Sequence, residues 1–233
     1  MRILTGTSGF SYPAWKGSFY PEKLPAKKML ASYASQLLAV EINNTFYRMP
    51  KSAELAAWAE QTPETFRFAL KAPRRITHIR RLVDAQDDVA YFAQASSALG
   101  KRLGPVLFQL PPFLKCDVRR LQEFLDTLGG QAPELAAAFE FRHESWFVDE
   151  VFDALAARNA ALCVADGDGL TTPLVATTSW GYLRLRKEGY AAEDLARWSA
   201  QTRTQPWSET YVFFKHEDAG VGPGLARAFL AAT

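Results

Sequence analysis

Ala137-Ala138-Phe139-Glu140-Phe141-Arg142 and Gly181-Tyr182-Leu183-Arg184-Leu185-Arg186 are the two runs on which the fold turns. In both, apolar and charged residues alternate, and the charges come only toward the C-terminal end. Alternation with period two marks a β-strand, because successive side chains of a strand face opposite sides. Phe139 and Phe141 therefore share one face, and Glu140 and Arg142 the other. Leu183 and Leu185 are likewise opposed to Tyr182, Arg184 and Arg186. An apolar face that packs under helices, with charges gathered at the C-terminal end, is the pattern of a parallel barrel strand with its site at the mouth.

Six more runs read the same way: Ile3–Thr7, Ala39–Asn43, Arg67–Lys71, Val106–Gln109, Ala161–Ala165 and Tyr211–Lys215. Helix-period segments lie between them. Leu55, Trp58 and Ala59 form one stripe. Val89, Phe92, Ala93, Ser96 and Leu99 form another, stopped by Gly100. Val118, Leu121, Leu125 and Leu128 form a third between Asp117 and Gly129, and Val151, Phe152 and Leu155 a fourth. A last helix is expected to start near Gly224. Strand and helix alternating eight times predicts an α/β fold, a (β/α)8 TIM-type barrel forming a single domain over residues 1–233. An open doubly wound sheet is the competing architecture, but Gly6-Thr7-Ser8-Gly9 is no GxGxxG turn and no Walker A loop occurs.

The composition agrees with a packed globular chain. Of 233 residues, 48% are hydrophobic, 22% charged and 13% aromatic, which excludes a disordered chain. Twenty-seven cations against 25 anions leave +2, so global charge singles out no partner. No apolar run approaches the length of a membrane span, and Met1-Arg2-Ile3-Leu4-Thr5-Gly6 has no secretory apolar region. Two cysteines, Cys116 and Cys163, make neither a disulfide framework nor a CxxC pair. The expectation is a reduced, cytoplasmic protein with no membrane partner.

Strand ends then supply the candidate site: Ser8, Glu41, Asn43, Lys71, Gln109, Glu140, Arg142, Asp166, Arg184, Arg186 and Lys215. Lys71, Arg142, Arg184, Arg186 and Lys215 are five cations facing three carboxylates, Glu41, Glu140 and Asp166. Guanidinium forks match phosphate or carboxylate, so an anionic ligand is expected there. The carboxylates are candidates for general acid or base. A structural alternative is that the charges merely pair and close the mouth.

After the third strand, Lys71, Arg74, Arg75, Arg80, Arg81 and His78 occur without an acid before Asp84. This stretch reads equally as a phosphate-contacting patch or as a solvated loop answered by Asp84, Asp87 and Asp88. Phe10, Tyr12, Trp15, Phe19 and Tyr20 follow the first strand, Phe46 and Tyr47 the second, and Trp146 and Phe147 the fifth. Such rings either stack on a ligand or fill a loop's own small core. His78, His143 and His216 show no metal-ligand spacing, and the nearby cations oppose a dication. No metal or other cofactor is therefore predicted, and a divalent ion stays a minor alternative. Neither cysteine is read as a nucleophile, and no GxSxG elbow marks a serine one.

Several motifs in order resemble the YecE-like family, the domain of unknown function numbered 72. They are Gly6-Thr7-Ser8-Gly9-Phe10-Ser11-Tyr12, Val40-Glu41-Ile42-Asn43-Asn44-Thr45-Phe46-Tyr47, Lys71-Ala72-Pro73 with Ile76-Thr77-His78, Gln109-Leu110-Pro111-Pro112, and Phe139-Glu140-Phe141-Arg142-His143-Glu144-Ser145-Trp146. The resemblance covers nearly the whole chain. It implies a TIM-type barrel and no settled activity, with Glu41, Lys71, Glu140, Arg142 and His143 keeping the pattern. Barrels of this family also look distantly like those of endonuclease IV and xylose-isomerase-type enzymes, by fold only. This chain departs from the pattern where Arg-x-His-Gly becomes Arg184-Leu185-Arg186-Lys187 and Phe-Asn-Asn becomes Phe214-Lys215-His216. A later Asn-Ala becomes Arg227-Ala228. The departures add cations to one side of the mouth.

The expectation is an enzyme, a hydrolase or lyase, acting on a small phosphorylated or otherwise anionic substrate. Glu41, Glu140, Asp166 and His143 are its candidate catalytic residues. Ser8, Asn43, Tyr47, Lys71, His78, Gln109, Arg142, Trp146, Arg184, Arg186 and Lys215 are its candidate binding residues. A nucleic-acid-binding or repair-related protein and a non-catalytic ligand-binding barrel are the alternatives, with oligomeric state left open.

Overall fold

The computed structural model describes every residue except 168, 216, 217 and 233. Eight strands, β1 (Arg2–Thr7), β2 (Ala39–Ile42), β3 (Arg67–Lys71), β4 (Leu103–Gln109), β5 (Ala137–Glu140), β6 (Ala161–Asp166), β7 (Trp180–Leu185) and β8 (Glu209–Phe214), run parallel. Their order is β1-β8-β7-β6-β5-β4-β3-β2, and a bridge between Ser8 and Glu41 brings the two ends together. The helices are α1 (Met29–Ala34), α2 (Asn44–Tyr47), α3 (Ser52–Glu60), α4 (Gln86–Ser96), α5 (Val118–Gln131), α6 (Asp149–Ala157), α7 (Ala192–Arg203) and α8 (Val221–Ala231).

Two apolar layers follow from the strand alternation. Inside the barrel a small layer contains Leu4, Ala39, Leu107, Cys163, Tyr182 and Phe213. Small residues from β2, β3, β5 and β6 face large ones from β7 and β8, which fills the barrel instead of leaving a pore. The outer layer, between strands and helices, holds Phe68, Phe108, Phe139, Phe141, Leu183 and Phe214. Phe139 and Phe141 thus point outward, and the opposite face of β5 sends Glu140 into the mouth.

The β1–β2 seam is built differently from the other seven. A tyrosine hydroxyl replaces a backbone rung: Tyr33 Oη accepts from the Thr7 amide at 2.8 Å and donates to the Ala39 carbonyl at 3.0 Å. Above it, the Gly9 amide donates to the Glu41 carbonyl at 2.8 Å. Burial pushes the Tyr33 phenol well above its usual range, so it stays a neutral bridge. Tyr33→Phe strands a buried amide and a buried carbonyl at once. The expected loss is about 2–4 kcal/mol in chemical denaturation; a loss below about 0.5 kcal/mol would show that the seam does not depend on this bridge.

Some expected boundaries shift. No helix follows β6 among the described residues; residues 170–176 of the crossover carry no regular secondary structure, and Leu174, Val175 and Ala176 pack on the outer core in a helix's place. Thr177 pins it, its Oγ1 accepting from the Leu162 amide at 2.9 Å and donating to the Ala160 carbonyl at 2.7 Å. Gly167, Gly169, Pro173 and a run of threonines disfavour helix there. α5 continues through Gly129 and Gly130 to Gln131, and α8 begins at Val221, before Gly224. α7, with Leu195, Ser199 and Thr202 buried, carries too weak an apolar stripe to be anticipated.

Candidate functional site

Glu41, Glu140 and Arg184 meet at the C-terminal mouth and are almost completely buried, at 0%, 0% and 1% exposure. Arg184 lies between the carboxylates, donating from Nη1 to Glu140 Oε2 at 2.5 Å and from Nη2 to Glu41 Oε1 at 2.8 Å. Glu41 also accepts from Ser8 Oγ at 2.9 Å, Asn43 Nδ2 at 3.1 Å and the Tyr182 hydroxyl at 2.9 Å. Arg142 forms an ion pair with Glu140 Oε1. The alternation in β5 and β7 therefore converges as the sequence predicts. Tyr182 joins it from the position two before Arg184, and its hydroxyl is the partner that the charge pattern alone did not reveal.

Burial alone would raise the Glu41 carboxyl, but the Arg184 guanidinium and the hydrogen bonds from Arg184, Tyr182 and Ser8 bring it down to about 2. Glu140 is lowered for a similar reason: burial opposes, while Arg184 and Arg142 prevail. Both carboxylates are ionised, and each of their oxygens has a hydrogen-bond donor or, for Glu140 Oε1, an ion-pair partner. That state suits holding guanidinium groups in place better than moving protons.

Two further cations share this field. Lys71 ends β3, and its backbone carbonyl accepts from Thr45 Oγ1 at 2.6 Å. Its Nζ lies 4.1 Å from the centroid of the Phe46 ring. Burial first, then Arg184 and Arg186, push its ammonium down to about 8, against the opposing pull of Glu41 and Glu140. Arg186 is half-buried, and its guanidinium makes no hydrogen bond or ion pair with a described residue. Burial and Arg184 lower its affinity for its proton, although an arginine remains charged. Lys71, Arg142, Arg184 and Arg186 thus share the field of Glu41 and Glu140.

The remaining candidates separate. Gln109 is half-buried at the end of β4, two residues beyond inward-facing Leu107. His78 stands edge-on to Phe46 with ring centroids 4.9 Å apart, and burial, Lys71 and Arg74 lower its pKa. Tyr47 is exposed at the rim. Lys215 pairs with Glu188 at 2.8 Å. His143 accepts the Ser145 amide on Nδ1 at 3.1 Å and so caps a turn. Trp146, expected beside the ligand, is fully buried: it stacks on Phe141 at 4.6 Å and donates to the Leu114 carbonyl. Asp166 borders a groove at the mouth together with Arg186 and Lys215, apart from the Glu41–Arg184–Glu140 network. It lies out of phase with inward-facing Ala161 and Cys163, and its Oδ2 accepts from Tyr190 at 2.7 Å and Trp198 Nε1 at 3.2 Å. His216 lies outside the described residues.

The basic loop divides as well. Asp88 engages both Arg75 and Arg80, leaving Arg74 exposed and Arg81 over the Phe113 ring at 5.3 Å. Among the rings after β1, Trp15, Phe19 and Tyr20 form a buried cluster of their own. Arg227, expected to add charge to the mouth, instead packs over Phe19 and bonds Gln36. Burial pushes both thiols up, which disfavours a thiolate at either cysteine. Among the described residues, no three His, Cys, Asp or Glu side chains cluster as metal ligands.

A small cavity of about 150 Å³ lined by Phe10, Tyr12, Asn43 and Trp58 lies at the ends of β1 and β2. A wider groove of about 600 Å³ bordered by Arg186, Lys187, Lys215, Glu188 and Thr171 lies at the ends of β6 to β8.

Eight parallel strands with a buried carboxylate–guanidinium network at the C-terminal mouth define a TIM-type barrel protein. The chain belongs to the DUF72 family of proteins of unknown function, whose pattern matches residues 4–233. It is 32% identical over 136 residues to the UPF0759 protein YunF of Bacillus subtilis, covering 56% of this chain and 48% of that protein. It is 37% identical over 119 residues to the UPF0759 protein YecE of Escherichia coli K12, covering 51% and 43%. The chain thus spans about half the length of the curated relatives it matches. A crystal structure of a DUF72 family protein from Thermotoga maritima superposes with a TM-score of 0.84 at 28% identity, over 99% of this chain and 98% of that one. No helix among the described residues is long and apolar enough to cross a membrane.

Proposed function

We propose that this chain is an enzyme, a lyase or hydrolase, that holds a small phosphorylated or carboxylated substrate at the barrel mouth. The observation that carries the reading is Arg186, a half-buried guanidinium with no hydrogen-bond or ion-pair partner among the described residues, beside two carboxylates already engaged by Arg184 and Arg142. A buried donor left without an acceptor is costly, and an anionic ligand would supply one. Glu41 and Glu140 act as positioning residues that fix Arg184 and Arg142. Lys71 is the group whose proton is mobile near neutral pH. Two unpaired thiols fit a reduced, cytoplasmic setting.

The test is a thermal-shift panel of inorganic phosphate, sugar phosphates, nucleotides, a short single-stranded oligonucleotide and neutral sugars. A ligand at 100 times its Kd stabilises by about 2.7 kcal/mol. Small phosphates are expected to stabilise the wild type, and Arg186→Ala to weaken that binding by roughly tenfold or more, the worth of a charged hydrogen bond. Equal binding by the variant, or a panel in which no anion stabilises, would reject the reading. Stabilisation by the oligonucleotide alone would favour a nucleic-acid ligand along Arg74 and Arg81. That alternative is the weaker one, because Asp88 already engages Arg75 and Arg80.

A further inference from the structure

We infer that Lys71 is a covalent nucleophile whose Nζ condenses with the carbonyl of a small anionic aldehyde or 2-oxo acid to form an imine. This deepens the reading above and rests on it, since Arg186 would hold the anionic group of the same molecule. Lys71 lies at the C-terminal end of β3, where the Thr45 hydroxyl fixes its backbone. Its side chain is half-buried, and Nζ is seated on the Phe46 ring instead of a carboxylate. It makes no hydrogen bond or ion pair with a described residue. A lysine whose role is structural normally pairs with an acid. Here both acids at hand, Glu41 and Glu140, are held by Arg184 and Arg142.

Burial and the neighbouring Arg184 and Arg186 guanidinium groups favour the neutral amine and outweigh the attraction of the Phe46 ring face for the ammonium. Desolvation beside like charges is the combination that activates a lysine toward carbonyls. With its ammonium down to about 8, the neutral fraction near pH 7.5 exceeds that of an ordinary lysine by on the order of a hundredfold.

The step balances without an oxidant or reductant. The amine lone pair forms the C–N bond, and the C–O bonds break as oxygen leaves as water. Of the three protons on the starting ammonium, two depart on that water and one stays on the protonated imine. Such an imine draws electrons from the adjacent bond, which favours cleavage or proton loss next to the former carbonyl. The reaction class is accordingly a lyase rather than a hydrolase.

Wild-type protein is incubated near pH 7.5 with pyruvate, glycolaldehyde phosphate or neutral glycolaldehyde, reduced with sodium borohydride, digested with trypsin and mapped by mass spectrometry. Reduction of the imine blocks cleavage at Lys71 and yields an adduct-bearing Phe68–Arg74 peptide. Exposed lysines such as Lys23, Lys51 and Lys101 serve as internal controls within the same sample. The expected result is enrichment at Lys71 over those lysines by roughly tenfold or more, with the anionic carbonyls and not with glycolaldehyde. Labelling of Lys71 no higher than that of the controls overturns the inference. Equal trapping of glycolaldehyde overturns the anionic substrate class. If phosphate stabilises the protein while Lys71 is not trapped, only the imine fails; if neither occurs, the anion reading fails with it.

Discussion

Arg184→Met is expected to cost about 3–5 kcal/mol of folding stability, because it leaves two fully buried carboxylates facing each other without their shared cation. For a domain of this size that is a fall in Tm of roughly 6–20 °C, readable by calorimetry or thermal denaturation. The cost belongs to the broken network and not to a net worth of the ion pairs. The triple substitution Glu41→Gln, Glu140→Gln, Arg184→Met removes all three charges and is expected to recover a large part of the loss. If the single variant stays within about 1 kcal/mol of the wild type, the buried network is not what holds the mouth.

The pH dependence separates the two proteins by sign. In the wild type the Glu41 carboxyl is held at about 2, below its unfolded value near 4.5. The unfolded chain then binds the proton more readily. The contribution of Glu41 is therefore present above about pH 4.5 and is lost as pH falls toward 2. In Arg184→Met the sign reverses. Burial is no longer opposed by the guanidinium, so the folded carboxyls titrate above their unfolded values. That variant's deficit should be greatest at neutral pH and shrink on acidification toward pH 5. A deficit independent of pH would mean that Arg184 matters through packing alone.

Gly6→Ala is expected to be the most damaging methyl group that can be added to this chain. A Cβ at Gly6 would sit 1.9 Å from the Ala39 carbonyl oxygen and 2.7 Å from its carbon. These are backbone atoms of the facing strand, so no rotamer change relieves the overlap. β2 would have to move away from β1, and the Tyr33 bridge, the Gly9–Glu41 hydrogen bond and the Ser8–Glu41 contact all span that gap. A loss of about 3 kcal/mol or more is expected, at the upper end of overpacking effects, seen as poor soluble yield and a lowered Tm. Alanine at Gly129 meets nothing within 4 Å and serves as the control. Equal Tm values for the two variants would show that the seam tolerates widening.

The residues that converge at the mouth were legible wherever one face of a strand is apolar and the other is not. Phe139 and Phe141 against Glu140 and Arg142, and Leu183 and Leu185 against Arg184 and Arg186, settle which way each side chain points. β6 offers no such contrast. Ala161-Leu162-Cys163-Val164-Ala165 is apolar on both faces because both are covered, so its phase cannot be read. Asp166 falls out of phase with Ala161 and Cys163, bonded to Tyr190 and Trp198 at the edge of the groove that holds Arg186. Aromatic residues pose the same difficulty in loops. Trp146 and Tyr47 look equally available in the sequence, yet one is sealed against Phe141 and the other projects from the rim. Phe46 was visible as an aromatic after the second strand, but its place under Lys71 comes from the turn of α2 against β3, a tertiary contact with no local signature.

The crossover between β6 and β7 has a consequence for how this barrel can diversify. Where a helix fills the outer shell, an insertion must preserve the helix's packing; a strap held by Thr177 and a few apolar contacts carries no such obligation. Lengthening a loop costs little, about 0.6 kcal/mol for each doubling. This strap borders the same groove as Arg186 and Lys215. New recognition surfaces can thus be exchanged beside a fixed chemical centre while the barrel that supports it stays as it is.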